Sequence, residues 1–268
     1  MFKQFLYSTA RRLIYPIRPL RRFLLQSLRN QDFNQIANDG ATAIVNNGYE
    51  HIERAVSYVA FLNLPPHNII ADVGAATGKT AQLFAKYLPA GIIYAFEPIP
   101  EQFMQLEKIN KEKKQIHTFN KALGSSPGSA KFYVMGNVTS SSLLHASEQV
   151  GHTWFESKLK EQQEIEVAVS TLDLEIPADA TVNILKMDVQ GFELEVLKGG
   201  VHTLKRTAIV LLELQNHEFY QGAPKYYELD AWLREHDFEL YDLLPGIMQE
   251  KKLYEFDGIY INRSFLPA

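Results

Sequence analysis

The segment Asp72-Val73-Gly74-Ala75-Ala76-Thr77-Gly78 constrains this chain more than any other. It follows an unbroken apolar run, Asn68 to Val73, suited to a strand buried on both faces, and it opens an amphipathic stretch, Thr77 to Leu88, with helical spacing. Glycines between a strand and a helix allow a tight turn and let a ligand approach the backbone closely. The helix N-terminus adds N–H donors and a partial positive charge. A strand that feeds a helix in this way leads to a right-handed crossover and a parallel neighbour.

The rest of the chain repeats that rhythm. A helix from Asn47 to Leu64 stops at Pro65 and Pro66. After the glycine turn come a second strand, Gly91 to Phe96, a second helix, Glu101 to Lys113, and a third strand, Ile116 to Ala122. Between residues 124 and 180 the pattern changes: Gly, Ser and Pro cluster at 124–129, Lys131 to Met135 can form a strand, and the whole reads as an insertion that shapes the substrate side. The alternation resumes with strand Val182 to Met187, helix Phe192 to Lys205 and strand Ala208 to Leu214. It ends with helix Tyr227 to His236 and two strands, Phe238 to Leu244 and Phe256 to Asn262, joined through a Pro-Gly turn as a terminal hairpin. The expected fold is α/β and Rossmann-like, with helices on both faces of a mostly parallel sheet.

The glycine spacing discriminates between ligands. A dinucleotide fingerprint needs glycine at three places, G-x-G-x-x-G, whereas Ala76 and Lys79 occupy the second and third here, which removes the closest approach for a pyrophosphate. The acidic Asp72 beside the loop suits a ligand that carries an ammonium. Glu97 ends the second strand, where a carboxylate can accept bonds from both hydroxyls of an adenosine ribose.

Taken in order, the segments IIADVGAATGKTAQLFAKYLPAGIIYAFEPIP, KALGSSPG, SSSLL, STLDL and KMDVQGFELEVLKGG resemble the FkbM family of S-adenosylmethionine-dependent methyltransferases over roughly residues 46–262. The last segment is the most specific. The resemblance implies a class I methyltransferase fold, a seven-stranded sheet whose last strand inserts antiparallel, in agreement with the terminal hairpin. It implies S-adenosyl-L-methionine as cofactor, with Asp72, Gly74, Ala75, Thr77 and Gly78 around the methionine part, Glu97 and Pro98 at the ribose, Ala122 and Leu123 near the adenine, and Asp188 at the reactive end. One position departs from the pattern: similar proteins usually carry Glu where this chain has Gln190, which weakens any role there for a second carboxylate.

Methyl transfer from a sulfonium is an in-line displacement, so the protein must align acceptor, methyl and sulfur and take a proton from a hydroxyl acceptor. Asp188 ends the fourth strand of the main sheet and Glu213 nearly ends the fifth, so both can reach one crevice. Such a pair can raise one pKa into the range of a general base or hold a divalent cation; a metal is compatible with the sequence but not predicted by it. The structural alternatives are that Asp188 caps the next helix and Glu213 pairs with a Lys or Arg. His217, in the following loop, is a further candidate base. Ser140, Ser141 and Ser142 match a serine cluster of similar proteins and are candidate acceptor contacts, and Trp154, Phe155 and Tyr220 are candidate walls. His145 and His152 have no metal-site spacing.

Composition supplies the exclusions. The 268 residues include no cysteine, so disulfides, thiolate metal sites and cysteine nucleophiles are ruled out. Residues 1–30 hold seven of the 27 basic residues and none of the 31 acidic ones, so the remainder carries 20 against 31. That balance offers nothing to a phosphate backbone, and no nucleic acid partner is expected. The basic amphipathic arm, residues 1–45, precedes a methyltransferase domain at 46–268. Its first 30 residues suit a peripheral membrane contact or packing on a protein surface. With no run of about 18 apolar residues, a cytoplasmic location is expected, peripheral at the membrane if the arm binds lipid. The reading is therefore O-methylation of a hydroxyl on a sugar, glycan, lipid-linked or natural-product acceptor. The alternatives are an inactive Rossmann-like scaffold and, less favoured because the glycines and a Tyr-x-x-x-Lys pair are missing, a nucleotide-dependent oxidoreductase.

Overall fold

The computed structural model describes residues 49–148, 158–249 and 251–267. The basic arm at 1–45, with its expected membrane contact, and the candidates His152, Trp154 and Phe155 lie outside the described residues.

Helix α1 (Glu50–Phe61) precedes strand β1 (Ile69–Val73), helix α2 (Lys79–Tyr87), strand β2 (Ile92–Phe96), helix α3 (Pro100–Glu112) and strand β3 (Ile116–Phe119). A smaller set follows: β4 (Ala122–Leu123), β5 (Gly128–Met135), β6 (Glu161–Ser170) and the single turn α4 (Leu172–Glu175). Then come β7 (Val182–Met187), α5 (Glu193–Lys198), α6 (Val201–Leu204), β8 (Thr207–Gln215), α7 (Tyr226–Glu235), β9 (Phe238–Pro245), the short pair β10 (Met248–Gln249) and β11 (Lys252–Leu253), and β12 (Glu255–Asn262). The main sheet has seven strands in the order β3-β2-β1-β7-β8-β12-β9. The first five run parallel, and β12 inserts antiparallel to both β8 and β9. The hairpin expected at the C-terminus thus closes the sheet by placing its second strand inside the first.

Strict alternation along the central strands builds one core on each face. Ile70, Ile184, Ile209, Leu211 and Ile259 pack under α1 and α2 through Ile52, Ala55, Val59 and Phe84. Val73, Leu185, Met187, Val210 and Leu212 pack under α5, α6 and α7 through Val196, Leu197, Leu204, Leu229 and Leu233.

Three elements differ from the sequence reading. The third strand ends at Phe119, because the Asn120 side chain bonds the carbonyls of Glu97 (2.9 Å) and Pro98 (3.1 Å), and Ala122 and Leu123 leave to pair with β6. The helix read over Phe192–Lys205 is two short helices that meet at Gly199 and Gly200; a Cβ on Gly199 would lie 1.9 Å from the carbonyl oxygen of Gly124, so the chain passes too close for any other residue. Strand β6 was not anticipated, since its first half, Glu161 to Glu164, is polar and solvent-facing; it forms an antiparallel ribbon with β5. Among the described residues no helix is long and apolar enough to cross a membrane.

Candidate active site

Backbone geometry shapes the loop after β1. Gly74, Ala76 and Gly78 all have positive φ, 76°, 47° and 84°. The Gly74 and Ala75 N–H groups donate to the carbonyl of Phe96 at 3.1 and 2.9 Å, which ties the loop to the end of β2. A Cβ on Gly74 would stand 1.9 Å from the Asp188 carbonyl oxygen, so the glycine is required by its neighbour across the sheet as well as by its φ. Gly78 starts α2 and packs on Leu106 and Ile109 of α3. Glu97 is 4% exposed; its two carboxylate oxygens accept the N–H groups of Ala76 and Ile99, each at 2.8 Å. Burial pushes its pKa up to about 7 against the pull of those two N–H donors.

Between this loop and the β4-β6-β5 sheet lies a cavity of about 400 Å³. Of the residues expected to hold a cofactor, Gly74, Ala75, Thr77, Glu97, Pro98, Ala122, Leu123 and Asp188 line it, as does Ser141. Asp72 and Gly78 do not. Asp72 is fully buried, and its carboxylate lies 3.1 Å from the ammonium of Lys186, which also donates to the Gly74 carbonyl at 3.0 Å. Asp72 therefore supports the loop from beneath, where the sequence placed it at the ligand. The Ser141 hydroxyl accepts the Met135 N–H at 3.0 Å.

Some of the lining was not anticipated. Ile99, Phe132 and Leu143 make an apolar wall beside Ala122 and Leu123, and His51 enters from α1. The His51 Nδ1 lies 3.6 Å from an Asp257 oxygen. Burial, and after it the charge of Lys186, pushes His51 down to about 4, opposed by Asp188. No spacing rule links a helix preceding β1 to a strand at the C-terminus, so the sequence carried no signal for His51.

A second cavity of about 200 Å³ adjoins the first, and Asp188, Gln190 and Thr139 line both. Ser140, Glu213, Tyr220 and Glu255 line only this smaller one. The registers explain the convergence: Met187 faces Leu212 across β7 and β8, and Asp257 faces Glu213 across β12, so Asp188, Glu213 and Asp257 form a transverse row at the end of the sheet. Among the described residues Glu213 pairs with no Lys or Arg. The Gln190 Nε2 donates to Asp188 Oδ1 at 2.7 Å and to Glu213 Oε2 at 3.1 Å. Burial pushes Glu213 well above the carboxylate range, reinforced by the charges of Glu255, Asp188, Asp257 and Glu193.

Other candidates sit elsewhere. His217 lines neither cavity; its ring stands edge-on to Phe219 and Tyr254, with centroids 5.4 and 5.3 Å away. The Ser142 hydroxyl is spent within the protein, donating to the Gln190 carbonyl at 2.7 Å and accepting from Leu144 N at 3.0 Å. His145 pairs with Glu161 at 3.1 Å. Among the described residues no group of three or more His, Asp or Glu side chains is arranged to hold a metal ion.

The sheet order with its inserted antiparallel strand, and a crevice at the carboxyl ends of β1, β2 and β7, define a Rossmann-like methyltransferase fold. The methyltransferase FkbM domain matches residues 72–240, more than half of the chain, and the chain belongs to that family. It is an S-adenosylmethionine-dependent methyltransferase. It is 26% identical over 171 residues to the 2-O-methyltransferase NoeI of Sinorhizobium fredii, an alignment that covers 59% of this chain and 67% of that one. It is 28% identical over 149 residues to Methyltransferase 1 of Beauveria bassiana, covering 50% and 59%. Among solved structures it resembles the magnesium protoporphyrin IX methyltransferase ChlM of Synechocystis PCC 6803, with a TM-score of 0.46 at 12% identity over 91% of this chain and 98% of that one.

Proposed function

We propose that this protein methylates a hydroxyl oxygen of a sugar, glycan or similarly polyhydroxylated small molecule, with the cofactor in the larger cavity and the acceptor in the smaller one. The observation that carries the reading is that the two cavities meet at Asp188 and Gln190. A displacement at carbon needs donor and acceptor to approach from opposite sides of one point, and a shared wall provides that point.

The residues of the larger cavity suit S-adenosylmethionine. Gly74 lets the loop backbone pack directly against that of Asp188, the buried Glu97 carboxylate has lone pairs left for ribose hydroxyls, and the wall of Ile99, Ala122, Leu123, Phe132 and Leu143 suits an adenine. When bound, the cofactor supplies an electrophilic methyl on sulfur. In this reading Asp188 receives the acceptor's hydroxyl proton, being the carboxylate common to both cavities, while the amide of Gln190, bonded also to Glu213, fixes its position. Carboxyl, amide and hydroxyl groups beside the aromatic Phe219 and Tyr220 favour a polyol ring in the smaller cavity. The 2-O-methyltransferase activity named for the relative from Sinorhizobium fredii agrees with this chemistry.

Calorimetric titration with S-adenosylmethionine, S-adenosylhomocysteine and NAD, followed by methyl transfer to a panel of sugars, tests the reading. Both sulfur ligands bind, NAD does not, and Glu97→Ala weakens the binding about 10- to 100-fold, the loss expected for hydrogen bonds to a charged group. Binding of NAD alone, or methylation of carbon or nitrogen acceptors only, overturns it.

A further inference from the structure

We infer that the carboxamide of Gln190 takes the place of a bridging cation, holding Asp188 and Glu213 together and turning Asp188 toward the acceptor, so that Gln190 is a positioning residue for methyl transfer. The inference rests on the assignment of the two cavities made above.

Two carboxyl groups that converge in a buried site repel each other unless something positive lies between them. A divalent cation is one solution; a donor with two protons is another. In this site the amide nitrogen of Gln190 occupies the gap, 2.7 Å from Asp188 Oδ1 and 3.1 Å from Glu213 Oε2, and it has one proton for each. The amide cannot be turned over, because its oxygen would then face both carboxyl groups. That oxygen lies instead 2.6 Å from the hydroxyl of Tyr220, a side chain 1% exposed whose hydroxyl also lies 2.7 Å from the Ser140 carbonyl and shares one proton between them. The backbone carbonyl of Gln190 accepts the Ser142 hydroxyl at 2.7 Å.

The backbone at this residue is costly. Gln190 has φ 56°, which a non-glycine side chain seldom adopts, and Gly191 follows at 92°. Strain of this kind persists only where surroundings over-determine it. Four hydrogen bonds do so here, two donated by Gln190 to Asp188 and Glu213 and two accepted by it from Tyr220 and Ser142. The result pins Asp188 Oδ1 and leaves Oδ2 as the oxygen available to the acceptor. A cation bridging Asp188 and Glu213 would have to displace the amide first, so the chain works without one.

Three variants test this, with wild type assayed in EDTA and in Mn²⁺. Wild-type turnover is the same in both. Gln190→Met keeps the length and removes both donors; kcat falls about 10- to 100-fold, as expected for a reacting group displaced by about 1 Å, KM for the cofactor stays within about 2-fold of wild type, an effect too small to cost 1 kcal/mol, and Mn²⁺ restores nothing. Gln190→Glu loses kcat in EDTA and regains a part of it in Mn²⁺, since the new carboxylate turns the bridge into a cation site. Should both fail to fold, Tyr220→Phe, which removes only the amide's anchor, lowers kcat with KM for the cofactor unchanged. Wild-type activity lost in EDTA, or folded Gln190→Met with wild-type kcat, or Tyr220→Phe with wild-type kcat, overturns the inference. If wild type methylates nothing, the cavity assignment itself fails, and calorimetry with Mn²⁺ on the cofactor-free protein still decides the bridge. Binding by Gln190→Glu alone supports it; equal behaviour of the two proteins overturns it.

Discussion

Substituting Lys186 by Met isolates the interaction beneath the loop that follows β1. Lys186 is 5% exposed and Asp72 0%, with 3.1 Å between ammonium and carboxylate, so neither charge can turn to water when the other is removed. Burial opposes the Lys186 charge, but Asp72, Asp188 and Glu213 outweigh it and raise its pKa. Removing one member of a buried pair costs about 3–5 kcal/mol, because the survivor stays desolvated and uncompensated. At about 2–4 °C per kcal/mol for a domain of this size, Lys186→Met lowers the unfolding midpoint by about 6–20 °C. The double variant Asp72→Asn, Lys186→Met regains most of that loss, since apolar or neutral replacement of a whole buried pair is often close to neutral. Urea unfolding of wild type, both singles and the double closes the cycle, with a coupling of roughly 3 kcal/mol expected. A Lys186→Met loss below about 1 kcal/mol, the size of a surface pair, or a double equal to the sum of its singles, refutes the claim that this pair holds up the loop.

Gly74→Ala tests the contact above it. The new Cβ would stand 1.9 Å from the Asp188 carbonyl at φ 76°; a left-handed residue alone costs about 1–2 kcal/mol, and the displaced Asp188 lowers kcat about 100-fold, read by steady-state kinetics at a temperature where the variant is folded. Stability should fall as pH rises through 7. Glu97, Glu193, Glu255 and Asp257 are all held near 7, chiefly by burial, so each binds a proton in the folded chain that it releases near pH 4 when unfolded. The stability they contribute is present below the unfolded pKa and is lost as pH rises through 7. His51, pushed down to about 4, contributes with the opposite sign, its share being lost as pH falls through 4. Thermal melts between pH 6 and 8 should therefore show a falling midpoint, flattened in the Glu255→Gln, Asp257→Asn variant; a midpoint that rises over this range contradicts the assignment.

Local rules made much of this architecture legible. A glycine turn after an apolar strand, an acid at the end of the next strand, and alternating apolar runs depend only on neighbours in the chain. They located β1, β2, β7, β8 and the Gly74 loop and Glu97 in the lining of the larger cavity, where the family resemblance adds Ala122 and Leu123. The same rules misread Asp72, whose role depends on Lys186 more than a hundred residues away; they missed β6, whose polar half is stabilised by pairing with β5; and they joined α5 to α6 across a glycine pair in which Gly199 admits the Gly124 backbone and Gly200 the Leu172 side chain. What the sequence by itself determined was therefore which segments form most of the strands and helices and which strand-to-helix loop borders the larger cavity. Tertiary structure alone decided which polar groups meet where the two cavities join. The row of Asp188, Glu213 and Asp257, the entry of His51 and the Gln190 bridge all arise from strand register and helix packing between distant segments, and register is settled by how whole faces of the sheet are buried.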